Sequence, residues 1–192
     1  MLLTAGAAGW YLLRGQPAAT PGTQSASTQL QAKPLDPTKH DFFDVDFSQK
    51  MIVHHQQGVA LADAVLAKST SQNIRSMAEG MRKEQADAES QYKSWLDDWG
   101  ETYTNLADFP QMDGHDMYPS YPGLVSAAEL SKLKSASSGD VDALYIELIK
   151  KHHSGGIDLS DMSRKLQYGK LIEFKDKVAA DYKVELQEME KV

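Results

Sequence analysis

Two stretches of this sequence decide the fold: MIVHHQQGVALADA at residues 51–64 and IKKHHSGGIDLSDM at residues 149–162. Laid over each other at an offset of 98 residues, they match at the histidine pair and at the glycine, leucine and aspartate that follow it. A histidine pair alone recurs by chance, but the same downstream residues at the same spacing indicate an internal repeat. The sequence therefore predicts two copies of one structural unit.

Helical periodicity surrounds both stretches. It runs over four long segments, at about 41–67, 72–99, 140–164 and 168–190. In the second segment, apolar residues from Ile74 to Trp99 recur at three- and four-residue steps, which form one face of a helix. Short turns at residues 69–71 and 168–169 join the segments in pairs, so each pair is predicted to be an antiparallel hairpin. Two duplicated hairpins make an all-α four-helix bundle.

A long crossover is predicted between the hairpins. Residues 100–139 interrupt the helical pattern with three prolines and several glycines, and one short helix is expected at about 126–135. Ser126 followed by Glu129 has capping-box spacing, which favours a helix start at that point.

The chain ahead of the bundle divides into two parts. Residues 1–14 are apolar up to Arg14 and are predicted to be the remnant of a signal or membrane-anchor segment, too short by itself to span a bilayer. Residues 15–39 hold four of the seven prolines and no aromatic residue, which predicts a disordered linker. We therefore expect a bundle domain over residues 40–192, located outside the cytoplasm (periplasmic or cell-surface) and either secreted or tethered to a membrane through the N-terminus.

Composition and missing motifs exclude several function classes. The formal net charge of −7, with no basic run, argues against a nucleic-acid partner. The absence of cysteine excludes disulfides, thiolate zinc sites and iron–sulfur clusters. The sequence has no Glu-x-x-His for a carboxylate di-iron centre, and no H-E-x-x-H, phosphate-binding loop or nucleophile elbow. We therefore expect a protein that is not an enzyme and that holds no organic cofactor.

The histidine pairs carry the candidate chemistry. On a helical wheel, His54 and His55 flank the centre of the apolar arc, and Gly58 lies one turn further on. Met51 stands three and four residues before the two histidines on the same face. Imidazole and thioether donors without thiolates suit copper, as Cu(I) or Cu(II), better than hard cations. The candidate metal ligands in the two stretches are Met51, His54, His55, His152 and His153.

The crossover contains a second soft cluster, Met112, His115 and Met117, which lie within six residues of one another. Glycine and proline flank these residues, so the loop could wrap them round a soft ion. The remaining methionines at helical positions are expected in the core. They are Met77, Met81, Met162 and Met189.

Two other interpretations of the histidine pairs remain open. In the first, the chain is a structural or interaction module, and the imidazoles are core residues hydrogen-bonded to partners without any metal. In the second, it is a sensor whose histidines titrate near neutral pH and loosen the bundle.

The chain resembles the bacterial family catalogued as domain of unknown function 305 over about residues 41–191. The residues that carry the resemblance are Phe43-Asp44, Phe47, Met51-Ile52, His54-His55, Gln85, Trp95-Leu96, Trp99-Gly100, His115-Asp116-Met117, Asp142, Tyr145, His152-His153, Glu185 and Met189. The resemblance implies a ferritin-like bundle and, because some members are described as exported copper-binding proteins, copper handling outside the cytoplasm. This chain departs from the family pattern at Ala88, where a glutamate is usual, and at Ile149-Lys150.

Overall fold

The structure is a computed structural model that describes residues 36–108 and 121–191. Within these residues the chain forms helices and turns, and no β-strand. The helices are α1 Phe42–Leu66, α2 Gln72–Trp99, α3 Ala127–Ser135, α4 Val141–Met162 and α5 Gly169–Met189. Each begins and ends within two residues of its predicted bounds, and the predicted all-α fold class is confirmed.

Polar side chains fix where three of the helices begin. Asp41 accepts backbone N–H bonds from the first turn of α1, and Asp44 accepts the backbone N–H of Asp41. Ser71 caps α2 through its hydroxyl. The predicted capping box at Ser126 and Glu129 is confirmed at the start of α3. These bonds satisfy N–H groups that the first helical turn leaves without partners.

The four long helices form two hairpins, α1 with α2 and α4 with α5. The hairpins meet mainly where α1 packs against α4, and α3 contacts both of these helices. Two large apolar clusters fill the bundle, beside a small third one that contains Val53 and Leu124. The first contains Leu61 of α1 and Ile149 of α4, and the second contains Phe47 of α1 and Leu159 of α4. The middle of α1 and the middle of α4 therefore lie between the two clusters.

The crossover returns to the bundle by a close backbone contact. Gly123 has a φ of +83°, in the left-handed region that favours glycine. It packs directly on Gly155 of α4, where a Cβ would lie 2.0 Å from the Gly123 nitrogen. The absence of side chains at both positions allows this contact, which sits beside the backbone carbonyl of His152.

Several predictions concern the ends of the chain. Those for residues 1–35 lie outside the described residues. Residues 36–39, which the composition assigns to the linker, form a turn whose Pro37 carbonyl accepts the N–H of Gly169 at 2.9 Å. The folded part of the chain therefore begins ahead of residue 40. In the described ranges, no helix is long and apolar enough to cross a lipid bilayer.

The methionines expected in the core are placed there with one exception. Met81 and Met189 are buried in the first apolar cluster, and Met77 packs against it. Met162 is 61% exposed, so its core assignment is wrong. It is the last residue of α4.

Candidate metal centre

All four histidines of the two pairs are buried, which confirms their predicted place on the inner face. Three of them have no exposed surface, and His55 is 1% exposed. They lie in the middle of α1 and α4, between the two apolar clusters. We call His54, His55, His152 and His153 together the histidine layer.

Two glycines make room for the histidine layer. Gly58 of α1 faces His152, and Gly156 of α4 faces His54. A Cβ at either glycine would lie 2.9 Å from an atom of the facing imidazole. Because neither has a side chain, the rings of His54 and His152 stack with centroids 3.8 Å apart and an interplanar angle of 19°. The glycine of each stretch thus faces the first histidine of the other stretch.

The hydrogen bond made by His54 determines its tautomer. Its Nε2 lies 3.1 Å from the backbone carbonyl oxygen of His152. A carbonyl oxygen can only accept, so Nε2 carries the hydrogen and Nδ1 of the neutral ring carries a lone pair. That Nδ1 is buried and has no hydrogen-bond partner. His54 therefore presents a bare imidazole nitrogen inside the bundle.

Gln85 of α2 connects the two histidine pairs. Its Oε1 accepts a hydrogen bond from Nδ1 of His55 at 2.7 Å, and its Nε2 donates to Nε2 of His153 at 3.2 Å. The hydroxyl of Tyr182 also donates to Gln85 Oε1, at 3.2 Å. With its hydrogen on Nδ1, His55 carries its lone pair on Nε2, which is buried and has no partner.

The α5 side of the layer combines an aromatic ring and a carboxyl group. Tyr182 stacks on His153 with centroids 4.3 Å apart. Oε2 of Glu185 lies 3.3 Å from Nδ1 of His153, although the orientation does not make a hydrogen bond. Burial raises the pKa of Glu185 to about 8, and the neighbouring Glu84 adds to the shift.

Burial also lowers the pKa of every histidine in the layer. It lowers the pKa of His55 to about 4 and that of His153 to about 3. The pKa values of His54 and His152 also fall well below the usual value, through burial and then through the neighbouring imidazoles. Neutral imidazole is the form that binds metals, so protons do not compete for these nitrogens at pH 7. A sensor that titrates through these rings near neutral pH is correspondingly disfavoured.

A cavity of about 300 Å³ between α2 and α5 reaches the histidine layer at His55. Met81 lines it and is a soft donor that sequence reasoning assigned only to the core. Its sulfur accepts a hydrogen bond from the Tyr145 hydroxyl at 3.4 Å. One sequence signal could have placed Met81 near the histidines: Gln85 follows it by one helical turn on α2. The apolar periodicity of the fourth segment places Tyr182 on its inner face, but no sequence pattern marks it as a neighbour of the histidines.

The predicted ligands are brought together only in part. Met51 is fully buried in the second apolar cluster, together with Tyr182. Within residues 36–108 and 121–191, no three histidine, aspartate or glutamate side chains are arranged to hold an ion. A site in this region therefore needs a thioether or a low coordination number. The crossover donors Met112, His115 and Met117 lie outside the described residues.

The sequence model of the family described as "Domain of unknown function (DUF305)" matches residues 44–192. The chain belongs to the DUF305 family. Among proteins with curated descriptions, none matches the chain.

Solved structures share the fold of this DUF305 chain. A candidate secreted DUF305 protein from Streptomyces coelicolor is 23% identical, with a TM-score of 0.66, over 77% of this chain and 88% of the other. A DUF305 fragment from Deinococcus radiodurans is 20% identical, with a TM-score of 0.69, over 79% and 95%. CopM in its Cu(I)-bound form is 17% identical, with a TM-score of 0.60, over 77% and 93%.

Proposed function

We propose that this DUF305 chain is an extracytoplasmic protein that binds copper for storage, buffering or delivery, without catalysis. The observation that carries the proposal is the bare Nδ1 of His54, held in a neutral ring at the centre of the bundle. Metal-ligating histidines characteristically donate their other N–H to a carbonyl or carboxylate, as His54 and His55 do here. A polar nitrogen left unpaired in a core costs stability, which a bound ion would recover.

The donor chemistry favours Cu(I) as the cargo. The chain has no cysteine, and its buried soft donors are imidazole nitrogens and the thioethers of Met51 and Met81. Such ligands select soft ions over magnesium or calcium. The Cu(I)-bound state of CopM, a protein of the same fold, supports this choice, and the candidate secreted relative supports the extracytoplasmic location. A membrane tether through residues 1–14 remains part of the proposal.

The proposal is tested by the stabilisation that a bound ion produces. An ion that binds only the folded state adds RT ln(1 + L/Kd) to the free energy of unfolding, where L is the free metal concentration. At a hundredfold excess over Kd this is about 3 kcal/mol, or roughly 5 to 10 °C in Tm for a chain of this size. Wild type should show this rise with Cu(I), and His54→Ala with His55→Ala should lose most of it.

A matched variant separates metal binding from folding. His54→Gln can place an amide N–H near Nε2 and keep the bond to the His152 carbonyl, but it has no lone pair at Nδ1. It should keep the metal-free Tm and lose the Cu(I)-dependent rise. The double change His152→Ala with His153→Ala should lose less than its first-stretch counterpart, because Ile149 stands where Met51 stands in the first stretch. If Cu(I) raised the Tm of all variants equally, the histidines would be core residues and not metal ligands.

The crossover cluster has its own expected result. Replacing Met112, His115 and Met117 by serine should lower the number of Cu(I) ions bound per chain, since the change removes three soft donors. Helix content should stay unchanged, because the segment lies between helices. Competition titration with a Cu(I) chelator and far-UV circular dichroism measure the two quantities. An unchanged metal capacity would make the segment a connector only.

A structural or interaction module is the second candidate. Gln85 favours it, because this one amide bridges His55 and His153 across the bundle and satisfies polar groups without an ion. Under this alternative, purified chain neither retains nor acquires copper, silver or zinc at micromolar concentration, and Cu(I) leaves the Tm of wild type where it was.

A further inference from the structure

The cavity between α2 and α5 has an acidic mouth. Four carboxyl groups line it, and Lys177 is the one cationic residue among the lining residues. Asp87 is paired with Lys83, and Asp181 is paired with Lys177. In the described part of the chain, Glu84 and Glu185 make no ion pair with a lysine or arginine. They are the two carboxyl groups of the mouth that no lysine or arginine pairs directly.

Glu84 and Glu185 also lie close together. Glu84 is exposed on α2, and Glu185 is partly buried across the cavity on α5. Two neighbouring carboxyl groups repel each other when both are ionised. A cation held between them would remove that repulsion.

An unpartnered imidazole nitrogen lies on the inner side of the same cavity. His55 is 1% exposed, lines the cavity, and has no hydrogen-bond partner at Nε2. His153 is fully buried, and its Nδ1 faces Oε2 of Glu185 at 3.3 Å. The cavity thus connects two carboxyl groups at its mouth with the free nitrogen of His55 in the bundle.

We propose that Glu84 and Glu185 form a cation-binding entry site that passes soft or borderline metal cations to His55 of the histidine layer. The inference rests on the proposed function and adds the route by which the ion reaches the histidine layer. Two carboxylates without a third ligand bind weakly, which suits an ion in transit. A mouth lined by one sign of charge also raises the local cation concentration and the association rate.

Loading kinetics with Ag(I) alone, a redox-stable probe for Cu(I), test the entry site. Stopped-flow absorbance of the tyrosines packed on the layer reports ion arrival. Glu84→Gln with Glu185→Gln should slow loading about tenfold or more at low ionic strength. The final number of ions bound and the metal-dependent Tm rise should not change. In wild type, added salt should slow loading as well.

The control variant carries the same charge change at two exposed glutamates that do not line the cavity, Glu101→Gln with Glu147→Gln. It should load at close to the wild-type rate. Glu84→Gln alone, at an exposed position, keeps the test valid if the double variant folds poorly, and should slow loading in the same direction.

The outcomes separate the two proposals. If wild type takes up no Ag(I), the proposed function fails. If wild type loads and the cavity variants load at the same rate, the entry site is wrong and the proposed function stands. If the cavity variants lose bound ions at equilibrium, Glu84 and Glu185 are permanent ligands and the transit role is overturned.

Discussion

On acidification from pH 7 to pH 5, the free energy of unfolding should fall by about 4 kcal/mol through His55 and His153 alone. Burial lowers the pKa of these two rings to about 4 and about 3 in the folded chain, from 6.5 in the unfolded chain. At pH 5 the unfolded chain therefore binds two protons that the folded chain refuses. This contribution to stability is complete above pH 6.5 and is lost as the pH falls towards 4.

The other two histidines of the layer act in the same direction. The pKa values of His54 and His152 are also lowered well below 6.5, so they add to the loss. Urea unfolding followed by circular dichroism at several pH values gives the proton uptake from the slope of stability against pH. His55→Gln should reduce that uptake near pH 5 by about one proton. A wild-type uptake of less than one proton would mean that the rings are hydrated or charged in the folded chain.

The contribution of Glu185 to the pH dependence of stability has the opposite sign and must be separated from that of the histidines. Its pKa is raised to about 8 by burial and by Glu84, so it costs stability at pH 7 and returns part of that cost as the pH falls towards 4.5. The free energy of unfolding regained by pH 5 through Glu185 is at most about 2 kcal/mol, since the group is partly exposed. Glu185→Gln should therefore be more stable than wild type at pH 7 and lose stability more steeply on acidification.

The fold could be predicted from the sequence because its signals are local. Periodicity in the segment from Ile74 to Trp99, the capping spacing of Ser126 and Glu129, and the polar turns between segments each act within one or two helical turns. The burial of the histidine pairs followed from the same periodicity, since the phase of one helix decides which face turns inward.

The partners of the histidines could not be predicted, because they depend on the register between helices. Gln85 and Tyr182 hold corresponding places: each would contact a Cβ at the glycine of its own hairpin, Gly58 or Gly156. Their separation in sequence is 97 residues, not the 98 of the histidine pairs, because α4 ends two residues sooner after its glycine than α1 does, while the second connection is only one residue longer than the first. A fixed offset therefore misses this pair, and nothing local marks Glu185 as a neighbour of His153.

The glycines of the described helices should respond to alanine in opposite directions. Gly80 of α2 has no atom within 4 Å of a built Cβ, so Gly80→Ala should stabilise the chain by about 1 kcal/mol through helix propensity. At Gly156 the Cβ would lie 2.4 Å from a ring carbon of Tyr182, and the stacked rings would have to shift. Gly156→Ala should destabilise by about 1 to 2 kcal/mol, after the propensity gain offsets part of the overpacking.

Gly155→Ala should cost the most, about 3 kcal/mol or more, because its Cβ would meet backbone and not a movable side chain. The nearest atoms are the nitrogen and Cα of Gly123, at 2.0 and 2.1 Å, and the carbonyl carbon of Pro122 at 2.3 Å. No rotamer change relieves that contact, so the returning crossover must move away from α4. Because Gly123 also lies beside the His152 carbonyl, its displacement should open the histidine layer to water. Urea unfolding ranks the three alanine variants, and hydrogen exchange at the His152 and His153 amides reports the opening. Equal stabilities of Gly155→Ala and Gly80→Ala would show that the crossover does not pack on α4.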